Sequence, residues 1–237
     1  MTRTYTKTIE RRQIEKFISN KSHGIDFILL EEYETPDFIA KTLDTKISIE
    51  HTRYIDEKNK MIERYRQQII DAARERFERE VGVNLQVSFR YSHNPMDKEH
   101  KKQFYIDMLF DMVNKIYQVN KEYKFRVSTS KMKVENKYID SLTVQSETTW
   151  SNWQSTGAFL VKPADYKQVQ KYIDKKSALI CNYPIDIDEK WLVIIAGIGY
   201  RSSGFRFDLL DCSNLSRKKF NRVFFFDERT EKIIELL

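Results

Sequence analysis

The sequence predicts a mixed α/β fold of the α+β kind, in which helices flank a mixed β-sheet. Apolar residues recur at helical spacing in four segments, and short alternating or continuous apolar runs lie between and after them. The chain has only 6 Gly and 4 Pro, so no linker rich in these residues divides it. We therefore predict a single domain over residues 1–237, with a core at about 9–91 and a remainder, 92–237, that completes the sheet and its flanking helices.

The first part of the chain predicts a helix, three short strands, a long helix, a strand and a second long helix. Residues 83–91 alternate between apolar and polar side chains and give the clearest strand pattern. Gly82 ends the long helix before it. The three short strands follow one another closely, which indicates an antiparallel meander. The predicted elements are helix 9–20, strands 26–31, 37–43 and 46–52, helix 56–81, strand 83–91 and helix 97–119.

The second part predicts a C-terminal extension rich in strands. A hairpin near Asn136 leads into a strand at 138–147, and 148–157 is read as a loop. Pro163 opens a helix that runs to about residue 180. The continuous apolar runs at 191–196 and 223–226 are typical of strands buried on both faces. The remaining predicted strands are 159–161 and 232–236.

Composition excludes several classes of protein. No apolar stretch approaches the roughly 20 residues of a membrane span, and the polar N-terminus has no signal-peptide pattern, so we expect a cytoplasmic protein. The two cysteines stand alone and the four histidines form no zinc motif. The formal net charge of +6 favours a polyanionic partner.

Two features leave structural and functional interpretations open. The basic stretch from Lys121 to Lys137 contacts phosphate or simply solubilises the surface. Trp150 and Trp153 stack on bases or, as we favour, anchor a loop on the core.

A pair of carboxylates marks the candidate site. If Asp44 and Thr45 form a two-residue turn, Leu43 pairs with Lys46, and Asp37 and Glu50 become diagonal neighbours on one face of the hairpin. The opposite face is apolar, which fixes the register. Two carboxylates suit Mg²⁺, which prefers oxygen ligands and retains several waters.

These residues resemble the motif of the PD-(D/E)xK nuclease superfamily, whose fold is restriction-endonuclease-like. Pro36 and Asp37 match the P-D element, and Glu50 matches the acidic residue of the next strand. The resemblance implies a Mg²⁺- or Mn²⁺-dependent nuclease acting on DNA or RNA. It also implies that Asp37 and Glu50 bind the metal, that the backbone carbonyl of His51 is a further ligand, and that Glu10 or Glu15 of the first helix adds a carboxylate.

The sequence departs from this motif at Thr52, which stands where the superfamily usually has lysine. A threonine hydroxyl positions a water but brings no positive charge. Since such a lysine can migrate within the superfamily, the cation has several possible sources, of which we choose Lys175. The other candidates are Arg53, Lys60, Lys171 and Lys176.

Three hypotheses remain open at this point. The first is a metal-dependent nuclease with Asp37, Glu50, Thr52 and Lys175 in its active site. The second is a degenerate nuclease fold that binds nucleic acid or another protein without cleavage. The third is a structural or interaction protein whose carboxylates are incidental.

Overall fold

The computed structural model describes residues 3–92, 100–129, 137–157, 159–183, 186–197 and 200–237, with side chains from residue 6 onward. The chain divides into two compact units. Unit 1 comprises Met1–Glu57 and Leu160–Leu237, and unit 2 comprises Lys58–Phe159. Unit 2 is therefore inserted into the chain of unit 1. The mixed α/β class is confirmed. The single domain stays a prediction, and the core predicted at 9–91 draws on both units.

Unit 1 is built on a six-stranded sheet with the strand order β1-β2-β3-β9-β11-β12. The first three strands form the predicted antiparallel meander, while β9 runs parallel to both β3 and β11. The elements of unit 1 are α1 (Arg3–Ser19), β1 (Leu29–Glu32), β2 (Phe38–Lys41), β3 (Lys46–Arg53), β8 (Lys162–Pro163), α4 (Tyr166–Ser177), β9 (Glu189–Ala196), β10 (Phe205–Arg206), β11 (Arg222–Asp227) and β12 (Lys232–Glu235).

Both faces of this sheet are buried. On one face Leu192 and Ile194 of β9 pack with Ile173 of α4. On the other, Trp191 and Val193 of the same strand pack with residues of α1. A strand covered on both sides needs apolar residues in both orientations, which explains the continuous apolar run of β9. The predicted burial of this strand is confirmed.

Unit 2 has a four-stranded sheet with the order β5-β6-β4-β7 and two long helices. Apolar residues of both helices and of alternate strand positions form one core, so the helices cover a single face of the sheet. Gly82 ends the first helix with φ +73°, as predicted. The elements are α2 (Glu57–Val81), β4 (Gln86–Tyr91), α3 (Lys102–Asn120), β5 (Arg126–Ser128), β6 (Ile139–Gln145) and β7 (Asn152–Thr156).

Three predicted elements differ from the structure, and the first is the strand predicted at 159–161, where the structure has no strand. The segment predicted as a loop at 148–157 contains β7, which pairs with β4 and buries Trp153 at 2% exposure, while Trp150 is 58% exposed. The helix predicted to open at Pro163 begins instead at Tyr166, because the Asp165 carboxylate caps it by accepting from the Lys167 amide at 3.1 Å. The turn predicted near Asn136 lies outside the described residues.

No helix of the described ranges has the length and apolar content that a membrane span requires.

Candidate functional site

The site begins with the register of the hairpin formed by β2 and β3. Phe38 pairs with Ile49, and Lys41 pairs with Lys46. The intervening turn is longer than predicted, since the Thr42 amide donates to the Thr45 carbonyl at 3.0 Å. The predicted pairing of Leu43 with Lys46 is therefore wrong by two positions. A shift of two residues leaves each side chain on its face, so Asp37 and Glu50 still share one.

Lys176 lies between these two carboxylates. Its ammonium Nζ is 2.7 Å from Asp37 Oδ2 and 2.6 Å from Glu50 Oε2. The three side chains are largely withdrawn from water, with 17% exposure for Asp37 and Lys176 and 2% for Glu50. Such pairs are strongest where water is excluded, because charge-assisted hydrogen bonds act there in a low dielectric.

The spacing of residues on α4 explains why Lys176 reaches the sheet. Val169 and Ile173 are buried against the face that carries Glu50, and Lys176 follows them at helical spacing. Positions i, i+4 and i+7 lie on one side of a helix. Lys175, the lysine we chose from the sequence, points to solvent one residue earlier. The lysine at the carboxylates is thus Lys176, and Lys175 has no contact with them.

Two further groups hold the carboxylates in place. The Tyr183 hydroxyl donates to Glu50 Oε1 at 2.6 Å. The backbone amide of His51 donates to Asp37 Oδ2 at 2.9 Å. Each carboxylate therefore has one partner that is neutral and one that is the shared ammonium.

The pKa values in this cluster reflect the shared ammonium. Burial alone would raise the pKa of Asp37, but Lys176 and the His51 amide hold this pKa below its ordinary value. Burial raises the pKa of Glu50, and the charge of Asp37 adds to this rise while Lys176 opposes it. Burial would lower the pKa of Lys176, yet the two carboxylates raise it. Two carboxylates and one ammonium leave a net negative charge when all three are ionised.

Helix α1 places one of the two predicted acidic residues near this cluster. Glu10 is half-buried, and burial together with the charge of Asp37 raises its pKa. Glu15 instead forms an exposed ion pair with Arg11 at 2.7 Å. Of the two carboxylates considered on this helix, Glu10 is therefore the one whose pKa is affected by the site.

The side chain of His51 lies on the opposite face of β3 from Glu50. Its Nε2 is 2.8 Å from Gln13 Oε1, and Gln13 Nε2 donates to Glu228 Oε2 at 2.6 Å. Because the Gln13 amide nitrogen must donate to the Glu228 carboxylate, the Gln13 amide oxygen accepts from a protonated Nε2 of His51. Burial lowers the pKa of His51 to about 3, so the ring is neutral.

Two other residues predicted for the site, Thr52 and Arg53, form no hydrogen bond with the cluster of Asp37, Glu50 and Lys176. Thr52 is half-buried, and its side chain forms no hydrogen bond with the described part of the chain. Arg53 lies next to it, and its buried Nε has no hydrogen-bond partner among the described residues. The role expected for the backbone carbonyl of His51 stays a prediction.

The described ranges contain no group of three or more His, Cys, Asp or Glu side chains arranged to hold a metal ion. The available donors are the paired carboxylates of Asp37 and Glu50, with the ammonium of Lys176 between them. Two carboxylates are enough for Mg²⁺, which completes its coordination with water. A cation already lies at this point in the form of the ammonium, so the position suits positive charge.

Sequence reasoning missed Gln13 and Tyr183, and it named Lys176 as a possible cation without choosing it. Lys176 continues the buried stripe of α4, and Gln13 lies on the inward stripe of α1. A polar residue on such a stripe indicates a buried partner. Tyr183 follows the end of a 3-10 helix and is brought to Glu50 only by the fold.

Comparison with known proteins yields no relative. No family model, no curated protein and no solved structure matches this chain.

Proposed function

We propose that unit 1 is a metal-dependent phosphodiesterase that hydrolyses DNA or RNA. The observation that carries this proposal is the position of Lys176 Nζ, 2.7 Å from Asp37 Oδ2 and 2.6 Å from Glu50 Oε2. The resemblance to the PD-(D/E)xK nucleases calls for two carboxylates from adjacent strands and a nearby lysine. Lys176 supplies from a helix the positive charge that Thr52 lacks.

The order of elements in unit 1 also supports the proposal. The resemblance describes a helix, an antiparallel meander, a second helix and a further strand. The sequence placed these elements within residues 9–91, but the helix and strand that follow the meander there, α2 and β4, belong to unit 2. Within unit 1 the meander of β1 to β3 is preceded by α1 and followed by α4 and β9. Residue Asp37 directly precedes β2, and Glu50 lies within β3, as the motif requires. Unit 2 lies in the chain between the meander and α4.

Each residue has a distinct task in this proposal. Asp37 and Glu50 would hold a Mg²⁺ or Mn²⁺ ion, which would supply Lewis acidity and lower the pKa of a bound water. The Lys176 ammonium donates to a non-bridging phosphate oxygen and offsets the charge that develops there. Tyr183 and the His51 amide fix the two carboxylates, so that little reorganisation accompanies binding.

A second candidate function is a nuclease fold without catalysis. The observation in its favour is that the Lys176 ammonium already pairs with both carboxylates. It leaves the cluster with a single net negative charge. Buried ion pairs of this kind also occur in proteins where they have no catalytic role. In this case unit 1 binds nucleic acid or a protein and cleaves nothing.

Metal binding separates the two candidates. We would titrate Mn²⁺ calorimetrically into wild type, Asp37→Asn and Glu50→Gln, and assay cleavage of single- and double-stranded DNA and of RNA in the same buffer. Glu15→Gln is the matched control, because it removes an exposed carboxylate from α1. The phosphodiesterase predicts that only the two site variants lose Mn²⁺ binding and cleavage. Mn²⁺ affinity that is equal in all four proteins would exclude it.

A further inference from the structure

Among the residues that the structure describes, the helices of unit 2 cover only one face of its sheet. Its two helices cover the face formed by Val87, Phe89, Leu142 and Val144. The alternate positions of the same strands are half-buried or exposed and carry polar side chains. We call this surface the open sheet face. We infer that it binds single-stranded nucleic acid.

Cross-strand pairing arranges the open sheet face in three rows. The first row contains Arg126, Gln145, Gln86 and Asn152, one residue from each strand in sheet order. These side chains offer amide groups and one guanidinium, which are donors to phosphate oxygens and base edges.

The second row is Ser128, Thr143, Ser88 and Gln154. The Thr143 hydroxyl donates to the Ser128 hydroxyl at 3.2 Å. Hydroxyl and amide groups hydrogen-bond to nucleic acid without imposing a strong charge.

The third row is Ser141, Arg90 and Thr156. Among the described residues that form the three rows, none is Asp or Glu. The nearest carboxylate in the strands is Asp140, which sits at the β-bulge where the register shifts between Arg90 and Tyr91. The open sheet face therefore carries positive charge only, and it complements a polyanion.

The two arginines of this face have no partner within the described chain. The side chains of Arg90 and Arg126 are exposed and form neither an ion pair nor a hydrogen bond there. Arg74, Arg76 and Arg79 on α2, by contrast, pair with carboxylates of unit 2. The standard strand spacings place Arg90 and Arg126 about 16 Å apart across the face, enough to contact separate phosphates of one strand.

The sequence charge of the two units is consistent with this assignment. Residues 58–159 contain 18 Lys and Arg against 13 Asp and Glu, so unit 2 holds five of the six net positive charges of the chain. Affinity for a polyanion grows with such an excess and falls with salt.

Two exposed aromatic residues favour a single strand over a duplex. Tyr123, 82% exposed, precedes β5, and Trp150, 58% exposed, precedes β7. Both strands begin at the Gln86 end of the sheet, beside the first row. The Asn84 side chain donates to the Thr149 carbonyl at 3.2 Å and fixes the segment that presents Trp150. Exposed rings beside a basic sheet stack on unpaired bases, which a duplex does not offer.

Binding by the full chain tests this inference. We would measure the fluorescence anisotropy of a labelled 20-nucleotide oligo(dT) and of a 20-base-pair duplex in EDTA. The inference deepens the proposed function by naming its substrate class, and in that respect rests on it. Because binding without metal does not depend on Asp37 or Glu50, a failure here is distinct from a failure of catalysis.

The decisive variant is Arg90→Glu/Arg126→Glu. We expect its dissociation constant for oligo(dT) at 0.1 M salt to rise at least tenfold and its salt slope to fall by about 1.4, the value for two phosphate contacts on a single strand. Arg79→Glu/Lys115→Glu makes the same change in charge on the helices and should stay within about threefold of wild type. An equal loss in both double variants would overturn the assignment to this face.

The aromatic residues provide a second readout. Tyr123→Ala and Trp150→Ala should each weaken oligo(dT) binding about fivefold or more, as expected for one lost stacking partner. Tyr200→Ala, which removes an exposed ring from unit 1, should have no effect. Tighter binding of the duplex than of oligo(dT), or binding of neither at low salt, would contradict the inference. Thermal unfolding monitors that every variant is folded.

Discussion

The sheets of the two units differ in how many of their faces are covered. The sheet of unit 1 has a hydrophobic core on each side, whereas unit 2 has a core on one side and polar side chains on the other. In unit 1 a charged residue such as Glu50 is consequently buried and must find a partner, which is Lys176. In unit 2 a charged residue such as Arg90 remains in water. Charged residues thus form a preorganised cluster in the sheet of unit 1 and an accessible surface on the sheet of unit 2.

The difference between the two sheets is tested most directly by placing a charged side chain in each of them and comparing the loss of stability. Ser48 of β3 is fully buried, and Ser88 of β4 lies on the open sheet face. We expect Ser48→Lys to lower the free energy of unfolding by more than about 4 kcal/mol, because it buries an unpaired ammonium in a packed core. Ser88→Lys should change it by less than about 0.5 kcal/mol. Urea unfolding followed by circular dichroism measures both, and similar losses would refute the difference between the sheets.

Removal of the shared ammonium tests the buried cluster itself. Lys176→Met leaves Asp37 and Glu50 buried without a cation, and we expect a loss of about 3 kcal/mol. Lys175→Met, on the exposed side of the same helix, should cost less than about 0.5 kcal/mol. If Asp37 and Glu50 bind metal as proposed, Mn²⁺ should raise the unfolding midpoint of Lys176→Met more than that of wild type. Equal stability of the two lysine variants would show that the cluster contributes nothing to folding.

The pH dependence of stability reports on His51, which lies on the other face of β3. Burial depresses the pKa of His51 from 6.5 to about 3, so between these values the unfolded chain binds a proton that the folded chain does not. The stability that this histidine contributes is present above pH 6.5 and is lost as the pH falls towards 3. Between pH 8 and 5 we expect a loss of about 2 kcal/mol, because the slope approaches 1.36 kcal/mol per pH unit below pH 6.5.

His51→Gln isolates this contribution, because glutamine keeps a hydrogen bond to Gln13 but does not titrate. Its unfolding free energy should fall less steeply than that of wild type over the same range. The difference between the two urea-derived profiles is the measurement, and parallel profiles would mean that His51 titrates normally in the folded chain.

The sequence determined the local elements and the faces of the carboxylate hairpin. Alternation fixed β4, continuous apolar runs fixed β9 and β11, and Gly82 ended α2. Asp37 and Glu50 share a face even though the predicted register was wrong by two positions. The reason is that side chains alternate with a period of two, so any even shift preserves their orientation.

Only the tertiary structure decided which distant elements meet. The approach of Lys176 to Asp37 and Glu50 spans well over a hundred residues of chain, and it depends on the parallel pairing of β3 with β9 beneath α4. The same holds for β7, whose polar sequence reads as a loop until pairing with β4 gives it a place in the sheet. Local patterns record which side of an element is buried, whereas the partner on that side is selected by packing over the whole unit.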